Sequence, residues 1–148
     1  MMDFAKNIHL PSFIGQDVRI NSSSISCFIK DTSYAWLTFN DCLTGRGYLL
    51  KLPFAKNGTI GKYTGALNNF DPKFSVAPDL RAYTDRGSIF VVNIKTDQEA
   101  IMSFKEAYDI DFNKIHESVD SINVTNNRIF VRLLKKGEPV ELQKDIQL

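Results

Sequence analysis

The sequence contains little cysteine, little histidine and no excess of either charge, and each shortage excludes a class of protein. Two cysteines among 148 residues are too few for a disulfide framework, so we expect reduced thiols. The two histidines do not form a zinc-ligand pair. Eighteen Lys and Arg residues against seventeen Asp and Glu residues give a formal charge of +1, which provides no overall attraction to nucleic acid or to an anionic membrane.

Targeting signals and long apolar runs are also absent from the sequence. Residues 1–9 contain no basic segment followed by an apolar one, which is the pattern of a secretory signal. No run approaches the ~18 consecutive apolar residues that a membrane-spanning helix requires. We therefore expect an intracellular, cytoplasmic protein that has no membrane partner.

The motifs of catalysis and of metal binding are missing as well. Residues 58–62 place two residues between their glycines, whereas a phosphate-binding loop needs four. Residues 109–120 begin like a calcium-binding loop, but Lys114 occupies the position where that loop needs glycine. Neither His9 nor His116 belongs to a recognisable pair of metal ligands. We expect a protein that is not an enzyme and that holds no cofactor and no metal.

The remaining composition is that of one globular domain. Hydrophobic residues make up 43% of the chain and charged residues 24%, which are ordinary globular values. The length is close to that of a typical domain, and the sequence shows no internal repeat. We expect residues 1–148 to form a single domain.

Alternation of apolar and polar residues predicts a mainly β structure. Strands are predicted in seven segments: 24–30, 34–40, 47–54, 88–95, 122–124, 128–134 and 140–142. Turn residues at 31–33 join the first two segments into a hairpin, and Asn126 and Asn127 join the fifth and sixth into another. In the first segment the alternation predicts that Ile25, Cys27 and Ile29 form the buried face.

Two segments depart from this pattern. Residues 96–99 resemble a helix capping box, and Ile101, Phe104 and Tyr108 follow at helical spacing, so we predict a packed helix over about 97–108. Glycine, proline and asparagine interrupt residues 55–87, so we predict a long loop there. The expected fold class is α+β: a mainly antiparallel sheet or small barrel with one helix and one long loop. The number of short strands is similar to that of oligonucleotide-binding barrels, but no motif identifies a family.

Aromatic and basic residues recur on the faces that alternation assigns away from the core. Flat rings beside cations suit single-stranded nucleic acid, because bases stack on the rings while the cations follow the phosphates. This hypothesis assigns ten candidate binding residues: Phe28, Lys30, Tyr34, Trp36, Lys51, Lys62, Tyr63, Arg128, Phe130 and Arg132.

Two other interpretations of the same residues remain open. The rings of Phe28, Trp36 and Phe130 could form a second core layer, which the stems of basic side chains would cover. Alternatively, the aromatic face could contact protein, as in a structural or interaction subunit of an assembly or virion, which could also associate with itself. The sequence therefore predicts a binding protein whose partner is single-stranded nucleic acid or another protein chain.

Overall fold

The computed structural model describes residues 19–30, 33–55, 57–103, 119–135 and 137–148, and every regular element among them is a β-strand. The strands are β1 (Ile20–Lys30), β2 (Tyr34–Asp41), β3 (Gly47–Pro53), β4 (Gly61–Leu67), β5 (Phe74–Val76), β6 (Leu80–Asp85), β7 (Ser88–Asn93), β8 (Glu99–Ser103), β9 (Val119–Val124), β10 (Arg128–Lys135) and β11 (Glu138–Asp145). The prediction of a β-rich chain is confirmed.

The first sheet has seven antiparallel strands in the order β1-β2-β3-β4-β6-β7-β8. The predicted hairpin of β1 and β2 is confirmed, with Phe28 opposite Trp36 and Lys30 opposite Tyr34. The register of this hairpin is regular from Ile25 to Lys30 and shifts between Ile20 and Ile25. β1 and β8 lie at the two edges of the sheet.

The second sheet has four strands in the order β11-β10-β9-β5. The predicted hairpin of β9 and β10 is confirmed, with Ile129 opposite Val124. β11 pairs antiparallel with β10, whereas β5 pairs parallel with β9. The short strand β5 therefore joins the second sheet although its neighbours in the chain belong to the first.

The main core lies between the second sheet and the later strands of the first. Apolar side chains of β6, β7 and β8 pack there against those of β5, β9 and β10; the largest fully buried ones are Leu80, Ile89, Ile122, Ile129 and Leu133. Burial of these side chains removes apolar surface from water, which is the main force that holds the two sheets together. The shared core agrees with the prediction of a single domain.

A second apolar cluster lies on the other face of the first sheet. Trp36 of β2 and Leu49 of β3 pack there with Val92 of β7 and with Ile94, which follows β7. Strands from distant positions in the sheet order can share a cluster only because the sheet curls over this face. The Lys30–Asp97 ion pair, with 2.7 Å between Nζ and Oδ2, joins β1 to the β7–β8 turn across the same face.

The predicted helix over about 97–108 is wrong, and with it the α+β fold class: residues 99–103 form β8, which pairs with β7, and the described residues form two β-sheets without a helix. The Asn93 carboxamide oxygen accepts hydrogen bonds from the N–H groups of Lys95 and Thr96, which closes a tight turn where the helix was expected to begin. Asp97 then adopts a φ of 62°, which a helix does not allow. Phe104 and Tyr108, which suggested the helical spacing, lie outside the described residues.

The predicted long loop over about 55–87 is also wrong, because this segment contains β4, β5 and β6. Gly65 lies within β4, where a Cβ atom would collide with the side-chain and carbonyl oxygens of Thr84 in β6. Glycine thus permits the close approach of the two strands. The Asn69 carboxamide bonds both the N–H and the carbonyl of Val76, with distances of 2.8 and 3.0 Å, and so positions β5 as a neighbouring strand would.

The predicted buried face of β1 is the exposed one. Ile25, Cys27 and Ile29 are exposed, whereas Ser26, Phe28 and Lys30 are partly buried. The predicted alternation is correct. Alternation divides the residues between two faces of the strand, but it does not identify which face meets the core. In β2, residues of both faces are buried, among them Ala35, Trp36 and Phe39.

Within the described residues, the structure contains no helix that is long and apolar enough to cross a membrane.

Candidate functional site

Six of the ten candidate binding residues lie together on the curled face of the first sheet. The strand register places Phe28 opposite Trp36 and Trp36 opposite Lys51, while Lys30 lies opposite Tyr34. Tyr63 of β4 packs against the cluster that contains Trp36. The structure thus brings these six candidates into one group, which we call the aromatic–lysine group: Phe28, Lys30, Tyr34, Trp36, Lys51 and Tyr63.

Lysine side chains lie over two rings of this group, those of Tyr34 and Trp36. The Lys51 ammonium lies 4.2 Å from the centre of the Tyr34 ring and 5.2 Å from that of Trp36. The Lys30 ammonium lies 5.7 Å from the centre of the Tyr34 ring. Such cation–π contacts are stabilising, but they occupy ring faces on which a base would otherwise stack.

Asp97 anchors the polar end of the aromatic–lysine group. Its carboxylate accepts hydrogen bonds from the Lys30 ammonium and from the Tyr34 hydroxyl. These two bonds lower the pKa of Asp97, and the bond to Asp97 raises the pKa of Lys30. Burial, followed by the same carboxylate, raises the pKa of Tyr34. The positive charge of Lys30 is therefore already paired.

Trp36 is the most buried member of the aromatic–lysine group, with 4% of its surface exposed. Its ring meets that of Tyr34 edge-on, with 5.9 Å between the ring centres. The buried indole N–H has no hydrogen-bond partner among the described residues. An unpaired buried donor costs about 1–3 kcal/mol, so the packing of the ring must compensate for it.

The other four candidate residues lie elsewhere. Lys62 precedes Tyr63 in β4 and so faces the opposite side of the sheet. Arg128, Phe130 and Arg132 belong to β10 of the second sheet, where they alternate with fully buried residues and point away from the core. Arg128 lies over the Phe130 ring, and Arg132 pairs with Asp120 at 3.3 Å. The structure does not bring these residues to the aromatic–lysine group.

The edge strand β1 carries a feature that the sequence reasoning missed. Ile25 is 43% exposed and Ile29 is 59% exposed, with the exposed Cys27 between them. The three side chains form one row, because alternate residues of a strand share a face. We call it the β1 apolar row. The alternation of Ile25, Cys27 and Ile29 is the available signal, but alternation alone does not say which face of the strand meets the core.

The backbone beside the β1 apolar row belongs to an edge of the first sheet. β1 has β2 on one side and, among the described residues, no strand on the other. The N–H and C=O groups of such an edge can accept a further strand. The only charged residue of β1 is Lys30, at its last position, so the rest of the strand presents no charge to an added chain.

The other sheet edges carry the features that protect an edge. β11 contains a proline and four charged residues: Glu138, Pro139, Glu141, Lys144 and Asp145. In β8, the Ile101 carbonyl accepts a hydrogen bond from the Lys144 ammonium. β5 has only three residues. Among the described edges, β1 alone is both long and nearly uncharged.

A cleft of about 230 Å³ lies beside β4 and β6, but its chemistry is limited. The Asn68 amide donates to the side chains of Thr38 and Asn40, and its oxygen accepts from the N–H of Phe70. Arg81 lines the cleft, and burial lowers its pKa. No group of three metal-ligating side chains occurs among the residues that the structure describes.

Comparison of the chain with protein-family models, with curated proteins and with solved structures finds no match. The function must therefore be argued from the two surfaces described above, the aromatic–lysine group and the edge of β1.

Proposed function

We propose that this chain is a protein-interaction subunit that binds an extended segment of protein along the edge of β1. The observation that carries the proposal is the β1 apolar row on a nearly uncharged strand that, among the described residues, forms an edge of the first sheet. Addition of a strand combines main-chain hydrogen bonds, which provide affinity, with contacts to alternate side chains, which provide specificity. β1 offers both, because its backbone edge and its apolar row lie side by side.

The proposal keeps the cytoplasmic location and the non-enzymatic role. Cys27 and Cys42 are free and exposed, and exposed thiols persist in a reducing compartment. The polar groups of the cleft are largely engaged in holding β4 near β2, which suits a structural part of the fold. Binding, rather than bond-making chemistry, is what the exposed surfaces support.

A peptide selection tests the proposed function. Peptides from an unbiased displayed library should bind the unmodified chain, and Ile29→Lys should abolish that binding, because a charge in the apolar row opposes an added strand. Leu134→Lys is the matched control: Leu134 is a 50% exposed apolar residue on β10 of the other sheet. Peptides that bind Ile29→Lys as well as they bind the unmodified chain would contradict the proposal.

Binding of single-stranded nucleic acid is the second candidate function. This function is favoured because four adjacent strands, β1 to β4, bring the aromatic–lysine group together. Two contacts weigh against it. The Lys30 ammonium is paired with Asp97, and the Lys51 ammonium occupies a face of the Tyr34 ring, so these groups are already in use within the protein. The hypothesis therefore stays a prediction, secondary to protein binding.

Fluorescence anisotropy with a labelled oligothymidylate distinguishes the two candidates. If the aromatic–lysine group binds phosphates, affinity falls with added salt, and Lys51→Gln reduces the salt slope by about 1. Lys62→Gln is the control, because Lys62 lies on the opposite face. An oligonucleotide that does not bind at low salt, or that responds equally to both substitutions, excludes this group as the binding site.

A further inference from the structure

We propose that the strand added to β1 is β1 of a second copy of this chain, antiparallel, with a two-fold axis at Cys27. The inference rests on the proposed function, because it requires that the β1 edge accepts a strand. It goes further by naming the partner and the register.

The β1 apolar row is complementary to itself in one register. When two antiparallel strands are centred on Cys27, Ile25 of each copy lies opposite Ile29 of the other, and the two Cys27 residues lie opposite each other. Every member of the row then meets another member. If the axis lies at Ser26, Ile29 has no partner from the row. If it lies at Phe28, Ile25 has none. Cross-strand apolar pairs of this kind stabilise a sheet.

The regular part of β1 coincides with this register. Pairing with β2 is regular from Ile25 to Lys30, which is the segment that a second copy would use. The register of β1 with β2 shifts between Ile20 and Ile25, so regular pairing is confined to the segment that begins at Ile25. The contact is isologous, because each copy uses the same residues, and a two-fold contact of this type closes on itself as a dimer.

Electrostatics permits the same arrangement. Lys30 is the only charge of β1 and lies three positions from Cys27. In the proposed register the two Lys30 residues lie on opposite sides of the axis, six positions apart, which is about 20 Å along the strands. At that separation in solvent their repulsion is largely screened at physiological ionic strength. The partner strand thus meets no opposing charge.

The two exposed cysteines allow a sharp test. A short bismaleimide links two thiols by addition of each to one double bond, so the test needs no oxidant. Opposed Cβ atoms of neighbouring strands are about 5 Å apart, within reach of such a linker. Cys42→Ser, which keeps Cys27, should give a covalent dimer, and Cys27→Ser, which keeps Cys42, should not. Peptide mapping of the link in the unmodified chain gives the same answer without a substitution.

Sedimentation velocity over a range of concentrations completes the test. We expect the unmodified chain and Leu134→Lys to form dimers and Ile29→Lys to remain monomeric. A dimer that links through Cys42, or through neither cysteine, would overturn the inference, as would a chain that is monomeric at every concentration. If a monomeric chain still selects peptides that Ile29→Lys rejects, the inference fails and the proposed function survives. If Ile29→Lys binds the selected peptides as well as the unmodified chain does and also forms the same dimer, both fail.

Discussion

At the scale of the residue, Asp97 contributes through both its backbone and its carboxylate. Its φ of 62° lies in the left-handed region, which aspartate and asparagine tolerate better than most residues. That conformation places the carboxylate where it accepts hydrogen bonds from both Lys30 and Tyr34. One residue therefore closes the β7–β8 turn and connects it to the first hairpin.

Replacement of Asp97 by asparagine should make the stability less sensitive to acid. The pKa of Asp97 is lowered in the folded state, so the carboxylate stabilises the fold above its ordinary value of 3.8, and that contribution is lost as the pH falls through the lowered value. Asparagine keeps the backbone conformation but cannot titrate. Thermal unfolding at pH 7 and at pH 3 should therefore show a smaller loss of Tm for Asp97→Asn than for the unmodified chain.

A double-mutant cycle with Lys30→Gln checks the cause of this effect. If the ion pair is responsible, the two substitutions together should change the acid sensitivity no more than Asp97→Asn alone. Equal acid sensitivity of Asp97→Asn and the unmodified chain would contradict the assigned role of the carboxylate. The Asp97 side chain is 55% exposed to solvent, so the total contribution of the pair should be small at neutral pH.

At the scale of the element, the faces of β10 differ sharply in their expected sensitivity to substitution. Ile129 is fully buried in the core between the sheets, whereas Leu134 of the same strand is half exposed. Ile129→Ala should lower the free energy of unfolding by about 2–5 kcal/mol, because it removes apolar contacts and leaves a cavity. Leu134→Ala should change it by about 0.5 kcal/mol or less. Chemical denaturation of both variants measures the difference, and similar losses would show that the assigned face of β10 is wrong.

Hairpins were predictable from the sequence, but the faces of their strands were not. The turn residues at 31–33 and the pair Asn126–Asn127 are local signals, and both hairpins are present. Which face of β1 is buried depends on the curl of the sheet over Trp36, which brings Val92 and Ile94 against it from far along the chain. No local pattern carries that information, so Ile25, Cys27 and Ile29 were assigned to the core.

Local patterns also gave the wrong prediction for the helix and for the long loop, because contacts between distant segments decide both. Residues 96–99 fit a capping box, but pairing of β8 with β7 overrides the local preference. Gly65 and Asn69 are typical of loops, yet one permits close strand packing and the other binds the backbone of β5. Of the candidate binding residues, those on β1, β2 and β3 could be grouped because these neighbouring strands are joined by short turns. Those on β10 could not, because they belong to another sheet.

At the scale of the whole molecule, the proposed dimer would join two seven-stranded sheets through their β1 edges. Its contacts are main-chain hydrogen bonds and apolar side chains, with Lys30 as the only charge in the paired strands. Association should therefore be almost independent of salt, unlike the binding of a nucleic acid. Sedimentation velocity at low and high sodium chloride concentrations should give the same dissociation constant. A dimer that dissociates as salt is added would indicate an interface built on ion pairs at another surface.

The parallel pairing of β5 with β9 imposes an order on folding during synthesis. Phe74 lies beside Ile122 in the second sheet, so the ribosome must add about 50 further residues before β5 can meet its partner. At ordinary elongation rates of about 5–20 residues per second, this delay lasts several seconds. Throughout that time the nascent chain holds the apolar Phe74 and Val76 without the sheet that buries them. Translation of β9 and β10 thus converts an exposed amphipathic layer into a closed sandwich, and a ribosome stalled before β9 would present that layer to chaperones.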